Sequence, residues 1–421
     1  MRSIAIIGGG HAGLQLGIGL LQHGYKVCVV TDRDADAIKN GRILSSQGMQ
    51  KTGLDHERAL GLNFWEEEAP KIEFFEFSRR TDDGGRDVNW RAIRPAYGNS
   101  ICQRVKIPRW MEEFERLGGV LQIHQAGVAD IDALAQRHDL VIVASGKGEV
   151  GRLFERDALR SIHDKPQRAL ALTYVTGMEP TTPVRGNCFS MAPGIGEYFV
   201  MPALTTSGPC EIMVFEGIVG GPMDSWSDVG SPQEHLARSK ELLQRFFPWE
   251  AARCAKIELT DANGTLTGRF PPTVRKPVAT MPSGRAVLGI GDVVMLNDPL
   301  TGQGSNNASK AAWHYLQRIL AHGDQAFDRG WMQETFESFW RERGCLTTEW
   351  SNRMLDFTPH MHDVVEAAND HHEVAQRFAA SFNHAPDYFP WLFDREVADR
   401  MFGPIFGQRH RMKEDAARTA A

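Results

Sequence analysis

The first apolar run, Ile4-Ala5-Ile6-Ile7, does not alternate and ends in Gly8-Gly9-Gly10. This predicts a parallel strand buried on both faces. An amphipathic stretch up to Gly24 and a second apolar run over 27–30 complete a strand–helix–strand unit. The same signal returns over 140–143, ending on Ala144-Ser145-Gly146, and over 285–290, ending on Gly291-Asp292. A helix is predicted over 108–117, with Pro108 in its first turn and Gly118-Gly119 as its stop, followed by a short strand over 121–124. Between 72 and 90 the pattern alternates instead. Phe75 and Phe77 share a face and Asp83-Gly84-Gly85 supplies a hairpin turn. Short runs at 169–176, 184–191, 197–201 and 211–216, separated by Pro/Gly turns, predict antiparallel sheet. Ser231-Pro232-Gln233-Glu234 is a capping box opening a helix that stops at Pro248. A helix over 308–322 has Gly323 as its stop, and 331–406 is helical and aromatic-rich.

The pattern gives an α/β chain whose 421 residues suffice for two or three domains. A net charge of −6 without a basic stripe argues against nucleic acid, and no apolar segment is long and clean enough to span a bilayer. Six scattered cysteines without a C-x-x-C pair suggest free thiols in a reducing cytoplasm. A signal peptide is rejected because glycines, His11 and Gln15 interrupt the first apolar run and no small-residue cleavage site follows. The tail after Arg409 reads as loose.

Gly8-x-Gly10-x-x-Gly13, between a strand and a helix, is a dinucleotide fingerprint. Gly8 makes the tight turn, Gly10 admits a pyrophosphate to the backbone N–H groups, and Gly13 lets the helix pack close to the strand. Thr31 stands where the ribose-binding acid is expected, and Asp32 comes one residue later. A second glycine turn, Pro299-Leu300-Thr301-Gly302-Gln303-Gly304, leads into Ser305-Asn306-Asn307 and a helix. It reads either as an electropositive nest for a flavin's O2–N1 edge, the favoured reading, or as an ordinary capped helix. Arg42 is either a contact to the flavin side or a solvated loop charge. His360-x-His362 and His371-His372 lack the i, i+4 spacing of a zinc pair and read as packed or solvated, so no metal site is expected. No Ser/His/Asp set or catalytic acid pair is evident.

The first glycine motif, Arg42, and Gly291-Asp292 with Pro299-x-x-Gly302-Gln303-Gly304 together resemble the flavoprotein monooxygenases of the para-hydroxybenzoate hydroxylase fold. Val30-Thr31-Asp32-Arg33, Ser145-Gly146-Lys147, Lys165-Pro166-Gln167-Arg168-Ala169-Leu170 and Asp298-Pro299-x-x-Gly302-Gln303-Gly304 further resemble the epoxidase subunit of two-component styrene and indole monooxygenases. The likeness runs from residue 4 to about Asn383. Ser45-x-Gln47-x-Met49, following Arg42-Ile43-Leu44, and Ile72 resemble the indole-type branch; Phe75 stands where a smaller aliphatic residue is expected.

The resemblance implies a Rossmann-like FAD-binding domain of glutathione-reductase type in three parts, 1–71, 96–165 and 281–330. It also implies an antiparallel β substrate domain at 166–280 with its hairpin at 72–95, and a C-terminal helical region at 331–421. A separate NADH-dependent flavin reductase would supply FAD as FADH2. With O2 this gives a C4a-hydroperoxide that epoxidises a small aromatic alkene, indole or else styrene. The cofactor would be held by Gly8, Gly10, Gly13, Asp32, Arg33, Arg42, Gln103, Gly146, Asp292, Pro299, Gly302, Gln303, Gly304, Ser305 and Asn306. Ser45, Pro299, Gly302 and Gln303 would serve catalysis, and Ile43, Leu44, Ser45, Gln47, Met49 and Ile72 would meet substrate. A homodimer is one assembly this reading allows. No Asp-Gly occurs in a strand–turn context between the glycine motifs, apart from Asp83-Gly84 in the hairpin turn, which favours the external reductase. The rivals are a one-component NAD(P)H-dependent aromatic hydroxylase and a module that only binds FAD. A flavin halogenase lacks support because Arg104-Val105-Lys106 precedes Ile107-Pro108 in place of a Trp-x-Trp-x motif.

Overall fold

The computed structural model describes residues 2–146, 148–403 and 405–406; Lys147 and the tail after Arg409 lie outside them. Six strands form one sheet in the order Val278–Thr280, Ala286–Gly289, Leu140–Val143, Ser3–Ile7, Lys26–Thr31, Val120–Ile123. All pairings are parallel except the first. Ile4, Ile6, Val29, Ile142, Val287 and Leu288 are fully buried, which explains why these strands carry apolar residues on both faces. The helix His11–Gln22 meets Phe114 of Gln103–Arg116 at Gly17 and Leu316 of Gly304–His322 at Gly19. A Cβ on Gly19 would stand 2.6 Å from the Leu316 side chain, so its absence permits that approach.

The helix expected to begin at Pro108 begins at Gln103, and Pro108 lies inside it. Proline in that position removes the bond to the Arg104 carbonyl. Long-range partners draw the earlier turn into the helix: Arg104 pairs with Asp261 at 2.8 Å and Lys106 with Glu57 at 2.6 Å. The last sheet-flanking helix likewise starts at Gly304, before the expected 308, and ends at Gly323 as read. The capping box forms: Ser231 Oγ accepts from Glu234 N–H at 3.2 Å and opens Pro232–Phe246.

The second sheet runs Glu258–Leu259, Arg168–Thr176, Gly208–Ile218, Gly196–Thr205, Gly186–Ala192, Lys71–Arg80, Arg86–Ser100, Gly48–Met49, with Thr265–Gly268 also on Arg168–Thr176. It is antiparallel except where Lys71–Arg80 joins Gly186–Ala192. The hairpin thus belongs to the same sheet as the later strands, and it continues to Ser100, past the expected boundary at 95. One face packs Tyr198 and Phe215 against Trp226, against Phe247 and against Leu242 of the helix Pro232–Phe246. The other packs Phe75, Phe77, Trp90 and Phe189 against Trp350, Phe378, Phe382 and Tyr388 of the C-terminal helical region. Among the described residues no helix is long and apolar enough to cross a membrane.

Candidate active site

The carboxyl ends of three parallel strands converge on the first glycine turn, the place where open α/β sheets bind ligands. Gly8 has φ +118° and donates its N–H to Val30 O at 2.8 Å. A Cβ on Gly13 would stand 2.0 Å from Gly8 O, so only glycine lets the helix start this close to the strand. Gly146 lies against Val293, and Gly291 against Ala12, so the ends of the strands over 140–143 and 286–289 flank the same turn. Asp292 follows Gly291 and is open to solvent. Gly10 caps His11–Gln22 with no side-chain bond and has no atom within 4 Å of where a Cβ would be. The helix N–H groups therefore face open space.

The second glycine turn is a 3₁₀ turn, Pro299–Thr301, ending on Gly302 at φ +62°. Asp298 accepts from Leu300 N–H at 3.2 Å, and Gly302 N–H donates to Pro299 O at 2.7 Å. Gly302 and Gly304 also border open space, and Gly304–His322 begins without a side-chain cap. Asn307, in the first turn of that helix, is buried with neither side-chain polar atom partnered. Two uncapped helix starts beside glycines that leave a cradle fit an anionic dinucleotide.

A hollow with about 580 Å³ of empty space, its mouth included, opens beside this turn. Leu300, Thr301 and Gly302 form one wall, Gly48 and Gln50 another, and Ile72, Phe75 and Phe77 a third. Phe189, Phe199, Met201, Trp350, Met354 and Phe382 close it, and Arg94 and Asn187 bring polar groups. Asn306 joins the walls: it accepts from Gln50 N–H at 2.8 Å and donates to Gly48 O at 2.9 Å and Gly302 O at 3.0 Å.

Of the residues expected to meet substrate, Ile72 lines the hollow, and Ile43, Leu44, Ser45, Gln47 and Met49 do not. Strand alternation accounts for Met49, which is fully buried on the side opposite Gly48 and Gln50. Ile43 is in the core, held by its N–H to Asn263 O at 3.1 Å, and Leu44 is exposed. Gln47, at φ +55°, donates to Ser45 Oγ, so these two polar side chains serve each other. Arg42 is exposed, and Asp32 is exposed beside Arg33 at 3.8 Å. Gln103 is half-buried at the first position of its helix. Gln303 is buried with Nε2 on Thr301 O at 3.2 Å, and Ser305 is half-buried at the helix start. The side chain of Asn306, expected on the cofactor, is committed to backbone.

Sequence reasoning missed the closing aromatics, Arg94 and Gln50. Alternation placed Phe75 and Phe77 on one face, but nothing local links them to Trp350 or Phe382. His360 Nε2 contacts Trp391 O at 3.0 Å and His362 contacts Arg79 at 3.3 Å. Glu76, Cys188 and Glu250 bring ligand atoms within 4.8 Å of one another, but Arg91 and Arg253 already bond the two carboxylates.

A flavoprotein/dehydrogenase of Cytophaga hutchinsonii shares the fold with TM-score 0.69 at 13% identity, over 97% of this chain and 99% of that one. A p-nitrophenol 4-monooxygenase, PnpA, of Pseudomonas putida does so with TM-score 0.62 at 15% identity, over 91% and 99%. The architecture is that of the flavin-dependent monooxygenases and halogenases. In sequence the chain is 30% identical to a styrene monooxygenase, StyA, of Pseudomonas fluorescens over 396 residues, 91% of this chain and 93% of that protein. Residues 146–253 match the family described as "Styrene monooxygenase A putative substrate binding domain". The chain belongs to the styrene monooxygenase StyA family. It is an oxidoreductase, a monooxygenase that uses a flavin.

Proposed function

We propose that this chain is the oxygenase of a two-component system that epoxidises an aryl alkene, of the indole type, with O2 and with FADH2 made by a separate NADH-dependent flavin reductase. The observation that carries the reading is the shared wall: Leu300, Thr301 and Gly302 border the aromatic hollow and belong to the glycine turn. FAD, when reduced and bound, supplies the activated oxygen, and the protein supplies position, dryness and charge. Gly8, Gly10 and Gly13 hold the pyrophosphate. The N–H groups of Gly302 to Gly304 and the helix start behind them stabilise the negative charge of the reduced ring. Phe75, Phe189, Phe199 and Phe382 hold a flat ring against the turn and keep water from it. Pro299, half-buried at the start of the turn, borders the oxygen. No general acid or base is needed for an alkene to take up an oxygen atom already activated on the cofactor.

The test is expression of the chain with a generic flavin reductase in cells that make indole. Blue pigment is the expected outcome, together with styrene oxide from added styrene. Flavin bleaching by NADPH in the purified protein, with no reductase present, would instead assign a one-component hydroxylase. Bound FAD that yields peroxide and no oxygenated product would leave only a flavin-binding module.

A further inference from the structure

The hollow, lined mostly by apolar side chains, carries one cation, Arg94, that the protein leaves uncompensated. Arg94 is 7% exposed. Its Nη2 donates to Gln50 Oε1, its guanidinium carbon stands 5.8 Å from the Phe382 ring centroid, and its Nε has no partner. Among the described residues it forms no ion pair. Burial pushes its pKa down to about 10, which still leaves it cationic at neutral pH. A second donor, on a residue that lines the same hollow, is also unmatched: the indole N–H of Trp350, fully buried, has no acceptor. Trp350 is held rigidly, stacked on Tyr388 at 4.5 Å between centroids and edge-on to Phe382 at 5.3 Å. Asn187 adds an amide whose oxygen is unpartnered. Buried arginines elsewhere in the substrate layer are matched, as Arg168 is by Glu197 at 2.7 Å.

We propose that the hollow selects an aryl alkene carrying an anionic oxygen group, a carboxylate in the simplest case, with Arg94 as the specificity-determining residue and the Trp350 N–H as second donor. The ring lies among the phenylalanines beside the glycine turn, and the anion meets the guanidinium at the wall built from the hairpin. An unpaired charge held out of water is costly, and a ligand anion removes that cost on binding. A neutral arene, indole included, leaves both donors unmet and binds more weakly, because a site built for a polar partner disfavours the analogue that lacks it. The proposal rests on the epoxidase reading for the alkene, and chiefly on Arg94 for the anion.

The experiment is calorimetric titration of the full chain loaded with FAD, using 4-vinylbenzoate and the neutral 4-vinyltoluene as probes of like shape. The carboxylate binds roughly 10- to 100-fold tighter than the hydrocarbon. Arg94→Met abolishes that ratio, Arg94→Lys keeps part of it, and Trp350→Phe lowers it by roughly 3- to 10-fold. Equal affinities in the unaltered protein, a tighter hydrocarbon, or a ratio unchanged in Arg94→Met each overturn the proposal. The unaltered protein alone decides the first two, whether or not a variant folds. A turnover arm with FADH2 separates the two readings. Carboxylate preference without any epoxide sinks the epoxidase reading and keeps the anion site; epoxide from 4-vinyltoluene without carboxylate preference does the reverse.

Discussion

Two of the buried cations, Lys106 and Arg94, set the two regions of the molecule apart. Lys106, in the layer of the first glycine turn, is 0% exposed and sits 2.6 Å from Glu57 Oε1. Arg94, in the aromatic hollow, forms no ion pair among the described residues. Around Lys106 the charges are matched. His11 comes within 3.5 Å of the same carboxylate oxygen, and burial holds its imidazole well below the usual range, so it stays neutral. A cation whose partner is built into the fold is structural. One whose partner is missing, on the wall of an open hollow, is available to a ligand.

The largest effect is the one that breaks the matched pair. Lys106→Met strands Glu57 without its cation and costs about 3–5 kcal/mol. Chemical denaturation followed by circular dichroism measures it, and Glu57→Gln added to Lys106→Met recovers most of the loss. Arg94→Met is the mirror experiment. It removes an unmatched buried charge, so stability stays level or rises. A fall comparable to that of Lys106→Met would show that Arg94 is structural after all.

The next effect is on the seam between the regions. Asn306→Ala removes three hydrogen bonds that tie Gly48 and Gln50 to the glycine turn. It leaves the Gln50 N–H unsatisfied in a buried setting, and the expected loss is about 2 kcal/mol. Flavin titration and arene binding, measured on the same preparation, both weaken because one wall of the hollow moves with the turn. Weakening of flavin alone would mean that Asn306 acts on the cofactor directly.

These regions also differ in how legible they were. The cradle is written in consecutive residues. The glycine spacing dictates a strand–turn–helix, and the 2.0 Å approach at Gly13 is its steric reason. The Ser231–Glu234 cap and the face shared by Phe75 and Phe77 are equally local. The hollow is assembled from the hairpin, the strands Gly186–Ala192 and Gly196–Thr205, the glycine turn and the C-terminal helical region. Its geometry exists only once the nine-stranded sheet has formed, and no spacing rule connects Phe75 to Phe382, although their rings end 4.7 Å apart. Gly48–Met49 is too short a strand to announce itself, yet its alternation turns Met49 away and Gln50 inward. The start at Gln103 was hidden for a related reason: a proline looked like a beginning, and only distant acids explain the turn before it.

The smallest effect concerns charge at the foot of the glycine turn, where the two regions meet. Glu216 is fully buried, and Asp298 is its neighbour. Burial first, and repulsion from Asp298 second, push Glu216 well above the usual carboxylate range, and burial also raises Asp298. Arg168, Glu197 and His163 complete the charged surroundings, and Arg168 is already taken by Glu197. The raised value means that the folded protein holds a proton that the unfolded chain releases near pH 4.5. The stability it contributes is therefore full below pH 4.5 and is lost as pH rises through the raised value. Glu216→Gln carries its hydrogens at every pH, so it flattens this decline. Denaturation curves of both proteins at several values between about pH 5 and 9 measure the difference. Because Asp298 also accepts the Leu300 N–H, deprotonation adds negative charge beneath the turn proposed to receive the reduced ring. Affinity for reduced flavin accordingly falls with pH more steeply than affinity for oxidised flavin, and Glu216→Gln brings the two slopes together. Parallel slopes in the unaltered protein would separate the carboxyl pair from the cofactor and leave it a property of the sheet beneath.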